Sequence, residues 1–187
     1  MSRGLKVARV TNVVIGLIRS LNNNRIKFAE IGLHKAKSAN MILSNCGELI
    51  EEYIGVDPYQ VFEGSLAKTE EIGTRTYIDN LIRMKQYPQF KIIREKSVPA
   101  ARVFPDKYFD FIYIDAAHNY KNVFSDITAW KSKLKDTGIL AGHDYSRKHM
   151  GVVQAVHEIF GKDCERGSGT LFIVRYKDGK IVYGDKR

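Results

Sequence analysis

The sequence predicts one α/β domain, a mostly parallel sheet with helices on both faces and an antiparallel hairpin at its C-terminal end. Three observations carry this. Runs rich in β-branched and aromatic residues alternate with stretches of helical periodicity along most of the chain. The run Phe109-Asp110-Phe111-Ile112-Tyr113-Ile114-Asp115 is apolar enough for a strand buried on both faces, as parallel strands under helices are. Near the end, Asp178-Gly179 sits between two strand-like runs and signals a tight turn.

Taken in order, Val10, Val13, Val14, Leu17, Ile18 and Leu21 fall on one face of an N-terminal helix, and Asn22-Asn23-Asn24 ends it in a turn. Residues 27–32 form the first strand. A helix follows from about Ser38, the expected N-cap, to Cys46. The second strand, 53–58, stops at Pro58. Residues 61–73 have weak patterning and read as a surface loop or lid. Residues 76–84 carry Tyr77, Ile78, Leu81 and Ile82 at helical spacing. The third strand spans 90–94 and leads to Ser97 and a short helix at 99–103. The fourth, 109–115, is followed by a helix at 120–134 with Val123, Ile127 and Trp130 inward. A fifth strand at 137–144 precedes a helix at 151–161. The runs 170–176 and 181–183 make the hairpin, for seven strands in all. With no repeats and no linker, the whole chain 1–187 reads as one domain: a helix and turn at 1–24, a core at 27–161 and a terminal hairpin at 165–187.

Composition narrows the class. The net charge of +9 suits anionic partners such as nucleotides, phosphorylated sugars or nucleic acid, but the basic residues are dispersed rather than blocked. Cys46 and Cys164 have no metal-type spacing and read as free thiols of a reducing compartment. The apolar run at 13–18 is too short to span a membrane and lacks a cleavage site, so a cytoplasmic protein is expected.

In open α/β sheets, ligands sit beyond the carboxyl ends of the strands. Those ends hold Glu30 and Gly32, then Asp57, Ser97, Asp115 with His118, and His143 with Asp144. Four of five strands thus finish in an ionisable group while their interiors are apolar, which is the pattern of a site. Gly32 permits a tight turn and close approach of a ligand to the backbone. Asp57, ending the second strand, can accept both hydroxyls of a ribose, although a carboxylate capping the turn before Pro58 would look the same.

On Ala29-Glu30-Ile31-Gly32, Gly55-Val56-Asp57-Pro58, Phe104-Pro105-Asp106, the run 109–118, Gly138-Ile139-Leu140, His143-Asp144-Tyr145 and Gly151-Val152-Val153-Gln154-Ala155-Val156, the chain resembles a class I S-adenosylmethionine-dependent methyltransferase. Within that superfamily it is similar to the small O-methyltransferase-like group that includes sugar and natural-product tailoring enzymes. The resemblance covers residues 27–161 and implies a Rossmann-like fold. It also implies that Glu30, Gly32, Ser38, Asp57, Ser97 and Asp115 bind S-adenosylmethionine, with Glu30 and Gly32 at its methionine end, Asp57 at the ribose and Ser97 beside the adenine. Two departures stand out: Ala36 occupies a position where family members usually carry glycine, and His143 stands where a carboxylate is usual.

Methyl transfer from a sulfonium is an in-line displacement, so alignment is the main task. A hydroxyl acceptor must also lose its proton. His118 is the candidate base, with Asp115 as the second catalytic residue. Asp115, His143 and Asp144 are the candidate ligands for a divalent cation, with Mg2+ the oxygen-preferring choice and Mn2+ better suited to the imidazole. The expected reaction is O-methylation of a small molecule, a sugar or glycan precursor. The rival readings are an RNA methyltransferase, a partner class not favoured because no basic-aromatic module is present, and a catalytically degenerate cofactor fold acting as a binding module. A nicotinamide enzyme is disfavoured by the missing three-glycine fingerprint. The apolar first helix also raises a homo-oligomer as an expectation.

Overall fold

The computed structural model describes residues 3–61, 69–162 and 164–182, with side chains from residue 8 onward. Its elements are α1 (Arg3–Arg19), β1 (Ile26–Ile31), α2 (Lys37–Cys46), a 3-10 turn (Gly47–Leu49), β2 (Ile50–Val56), α3 (Glu70–Met84), β3 (Phe90–Ile93) and α4 (Ser97–Ala101). There follow β4 (Phe109–Ile114), α5 (Tyr120–Lys131), β5 (Leu134–Gly142), α6 (Met150–Phe160), β6 (Glu165–Gly167), β7 (Leu171–Lys177) and β8 (Lys180–Val182).

All strands join one sheet in the order β3-β2-β1-β4-β5-β7-β6, with β8 also paired to β7. Strands β1 to β5 are parallel, whereas β7 runs antiparallel to β5, β6 and β8. The Rossmann-like, mostly parallel sheet with a C-terminal antiparallel hairpin is therefore as expected. The hairpin turn has Asp178 at φ 52° and Gly179 at φ 73°, the left-handed pair that a two-residue turn needs. The eighth strand, β6, is only Glu-Arg-Gly and has no apolar alternation to announce it.

The alternation of side chains along the buried strands splits the core in two. Phe28, Tyr53, Phe111 and Tyr113 face α1 and α2, with Phe28 stacked 4.6 Å from Tyr53 and 5.0 Å from Phe111. Ile31, Ile54, Ile112 and Ile114 face α4, α5 and α6, where Trp130, Ile127 and Val156 close the layer. The apolar face of α1 (Val10, Val14, Leu17, Ile18) is buried within this chain, which removes the feature that had suggested a partner subunit.

Two local expectations change. Helix α3 starts at Glu70, capped by Thr69, whose hydroxyl accepts the Ile72 N–H, so residues 69–73 of the expected loop begin a helix. The acidic pair Glu70-Glu71 in its first turn complements the helix dipole. Residues 62–68 of that loop, and Tyr183 of the hairpin, lie outside the described residues. Ser38 is not the cap of α2. Ala36 takes that place in left-handed geometry (φ 49°, ψ 31°), and Ser38 turns inward to donate to Glu30.

The fold's key consequence is positional. From β1 the chain moves outward to β2 and β3, then returns across β1 to β4 and β5. The switch point falls between β1 and β4, and the crevice it opens lies at their carboxyl ends.

Candidate functional site

A cleft of about 570 Å³ lies over the carboxyl ends of β1, β2 and β4 and against α3, α4 and α5. That is a volume suited to a nucleoside-sized ligand. Gly32, Asp57, Ser97 and Asp115 all line it. The close approach of β1 and β4 makes Gly32 obligatory: its φ is +98°, and a β-carbon there would lie 2.1 Å from the Asp115 carbonyl oxygen.

Beyond Gly32, the chain wraps through His34 (φ 44°) and Ala36 (φ 49°) into α2. This loop is clasped from two sides. The Asp57 carboxylate accepts the His34 N–H at 2.8 Å and the Tyr59 N–H at 2.8 Å. From α3, Asn80 donates to the His34 carbonyl at 2.6 Å and Arg83 to that of Lys35 at 2.7 Å. Asp57 therefore caps its own turn and still lines the cleft, so the two readings of this residue are compatible.

Glu30 and Ser38 lie elsewhere. Glu30 is fully buried, accepts hydrogen bonds from Ser38 and Tyr53, and is not part of the cleft lining. Burial pushes its carboxyl up to about 8, against the opposing pull of the two hydroxyls. It sits beneath the loop, as a support.

At the far side of Asp115 the chain gathers a second group. His118 Nε2 lies 2.8 Å from Asp144 Oδ2, and the ligand atoms of Asp115, His118 and Asp144 lie within 4.8 Å of one another. His143, proposed from the sequence as the imidazole of this trio, instead bridges the carboxylates through Nδ1, 3.3 Å from Asp115 and 3.2 Å from Asp144. Its burial opposes a charge, but the bonds to Asp115 and Asp144 prevail and raise it to about 10. The Asp144 hydrogen bond likewise raises His118 above its ordinary value. Burial disfavours the Asp144 charge, yet the bonds from His118 and His143 hold its carboxyl far below the usual range.

His149 joins the group at 3.5 Å from Asp144 and 4.7 Å, ring to ring, from His118. Its place at the start of α6 gave no signal. Gly151 lets α6 press close, since a β-carbon there would meet the His118 carbonyl at 2.8 Å. Tyr145 is buried against His157, and exposed Tyr120 donates to Glu158, so neither lines the cleft. Asn122, Ser125 and Asp126 do line it and were missed, because Asp126 sits within an inward helical stripe otherwise read as core.

The donor set tests well against both absent groups. Gly32 lets the backbone turn tightly at the floor of the cleft, and Asp57 offers a carboxylate on the same lining, as a ribosyl methyl donor requires. Two carboxylates and an imidazole converge as a divalent cation requires, although the protonated His143 between the carboxylates competes for the same oxygens.

A Rossmann-like sheet with its cleft at the switch point, and an acid–imidazole group on the rim, defines a ligand-binding α/β class that hosts many chemistries. Residues 29–145 match the family described as a methyltransferase domain, and the chain belongs to that family, the class I S-adenosylmethionine-dependent methyltransferases. No curated protein matches in sequence. Among solved structures, one provisionally named caffeoyl-CoA O-methyltransferase from Staphylococcus aureus aligns with a TM-score of 0.61 at 18% identity, covering 90% of this chain and 83% of its own. The TDP-rhamnose 3'-O-methyltransferase CalS11 of calicheamicin biosynthesis aligns at 0.60 and 15%, covering 89% and 79%. An S-adenosylmethionine-dependent methyltransferase from Aquifex aeolicus aligns at 0.55 and 13%, covering 84% and 85%. At these identities the likenesses establish the fold.

Proposed function

We propose that the protein transfers the methyl group of S-adenosylmethionine to a hydroxyl of a small, sugar-like acceptor, with His118 as the base. The observation that carries this reading is the His118–Asp144 pair at 2.8 Å, set beside Asp115, which itself lines the donor cleft. With Nε2 directed at Asp144, the neutral ring presents Nδ1 as its free basic nitrogen. The acceptor oxygen forms its bond to the methyl carbon as the carbon–sulfur bond breaks. The electron pair stays on sulfur, and the hydroxyl proton passes to His118 Nδ1. Asp144 then steadies the imidazolium.

Gly32, Asp57, Ser97 and Asp115 hold the donor in this reading, while Glu30 and Ser38 support the loop from below. Where a divalent cation takes part, Asp115 and Asp144 hold it together with one imidazole, His118 or His143. Bound there, it would lower the pKa of the acceptor hydroxyl. An imidazole in the set favours Mn2+ over Mg2+.

The test is methyl transfer from labelled S-adenosylmethionine to a panel of sugar nucleotides and other small hydroxyl compounds. His118→Ala should lose turnover by roughly 100-fold or more while keeping S-adenosylhomocysteine affinity within about threefold. Equal turnover by the variant would remove His118 from the chemistry. Loss of turnover on exhaustive chelation, restored by Mn2+ or Mg2+, assigns a metal role, and unchanged turnover excludes one.

A further inference from the structure

Helix α3 is committed on its inner side and bare on its outer side. Inward, Gly73, Asn80 and Met84 are buried, Thr76 lines the cleft, and Asn80 and Arg83 clasp the loop from β1 to α2. Those bonds fix which way the helix faces. Outward stand three large aliphatic side chains, Ile78 (48% exposed), Leu81 (46%) and Ile82 (70%). A contiguous apolar patch of this kind marks an interaction site. Among the described residues, no neighbouring element packs along α3 more than marginally.

The pattern of the outer stripe specifies what covers it. At helical spacing it reads Glu71, Thr74, Arg75, Ile78, Leu81, Ile82 and Lys85, acidic at one end, basic at the other and apolar between. Glu71, Arg75 and Lys85 are exposed and make no ion pair among the described residues. A second α3 laid antiparallel across a two-fold axis at Ile78 matches this stripe residue by residue. Ile78 meets its own copy. Leu81 and Ile82, three and four residues after the axis, meet Arg75 and Thr74, three and four residues before it. Glu71 and Lys85, seven residues to either side, meet each other twice. A groove lined by Glu71, Thr74, Arg75 and Ile78 is the half that receives Leu81 and Ile82 of the other copy. A parallel pair would instead set Glu71 against Glu71 and Lys85 against Lys85.

We propose that two copies of this chain associate through α3, antiparallel about an axis at Ile78. The apolar centre supplies the drive, and the two Glu71–Lys85 pairs at the rim fix direction and register more than they add affinity. Two 15-residue helices, each about 22 Å long, make a small interface, so the dissociation constant falls in the range of roughly 1–100 μM. Association by this face is independent of which ligand the cleft takes.

Sedimentation velocity of the whole chain from about 1 to 500 μM, in roughly 0.15 M salt to screen the net charge of +9, tests this. Wild type should pass from monomer to dimer across that range. Ile78→Asp, which sets two carboxylates against each other on the axis, should remain monomeric throughout. Glu71→Lys and Lys85→Glu should each weaken association at least about tenfold, and the two together should restore it to within about threefold of wild type. Each of these exchanges also opposes the dipole of α3, so recovery in the double variant comes from pairing across the axis and not from a firmer helix. A wild type that stays monomeric at the highest concentration overturns the proposal and leaves the face to a partner of another kind. Dimers that persist in Ile78→Asp, or that the double exchange fails to recover, overturn it as well.

Discussion

At the residue scale, two acids of this chain are set apart by what surrounds them. Asp110, at the opposite end of β4 from Asp115, is also buried, but it accepts from the Lys27 N–H and from Lys135 Nζ, both at 2.9 Å. A buried carboxylate with that many donors is structural. Glu30 has only hydroxyl partners, and its carboxyl is raised to about 8. The sign of the linkage follows: the folded state holds this proton more tightly than the unfolded chain does. Its contribution is therefore fully present below the unfolded value near 4.5 and is lost as pH rises through about 8. Glu30→Gln, which cannot ionise, should gain Tm relative to wild type steadily between pH 5 and 8. A parallel pair of Tm curves across that range would contradict the assignment. Asp57 and Asp115 were legible because each follows a strand directly, and Ser97 and His118 because each lies in the short turn segment just beyond one. Asp126 and His149 were not, since one lies within an apolar helical stripe and the other reaches Asp144 only through the tertiary fold.

At the element scale, the loop from β1 to α2 concentrates the backbone strain of the site. Gly32, His34 and Ala36 all have positive φ. Gly32→Ala would force a β-carbon into the β4 backbone and should cost at least about 3 kcal/mol, a fall in Tm of roughly 6–12 °C. Ala36 is a different case. Its left-handed backbone costs about 1–2 kcal/mol, yet its methyl is fully buried and contributes about 0.8 kcal/mol, with a further gain from restricting the unfolded chain. The effects nearly cancel, so Ala36→Gly should shift stability by no more than about 1 kcal/mol either way. This accounts for an alanine at a position where the resemblance expects glycine. A large gain or loss, read by denaturant unfolding, would show that one of these effects has been misjudged. The helices were legible in kind but not in extent. Helix α3 was under-read at its start, where Gly73 lies within it and no apolar stripe marks the first turn; Ile78, Leu81 and Ile82, which announced the rest, are exposed, and the helix buries Gly73, Asn80 and Met84 instead.

At the scale of the whole molecule, strand order converts scattered residues into one site. The sequence ordered the strands only along the chain. It is the placement of β1 between β2 and β4 that brings Asp57 and Asp115 to the same cleft. The architecture was legible because parallel strands under two helical layers need long apolar runs, and those runs stand out. The short β6 and the arrangement of imidazoles around Asp144 were not, because each depends on contacts made late in the chain. No helix among the described residues is long and apolar enough to cross a membrane. The central claim, that this cleft holds the methyl donor by its ribosyl end, is tested most directly by titrating S-adenosylhomocysteine into wild type and Asp57→Ala in a calorimeter. The account predicts one site per chain in wild type and a loss of roughly 10- to 100-fold in affinity in the variant, the effect of removing hydrogen bonds to a charged group. Wild-type protein that is folded and takes up no S-adenosylhomocysteine, or a variant that binds it equally well, would contradict the account.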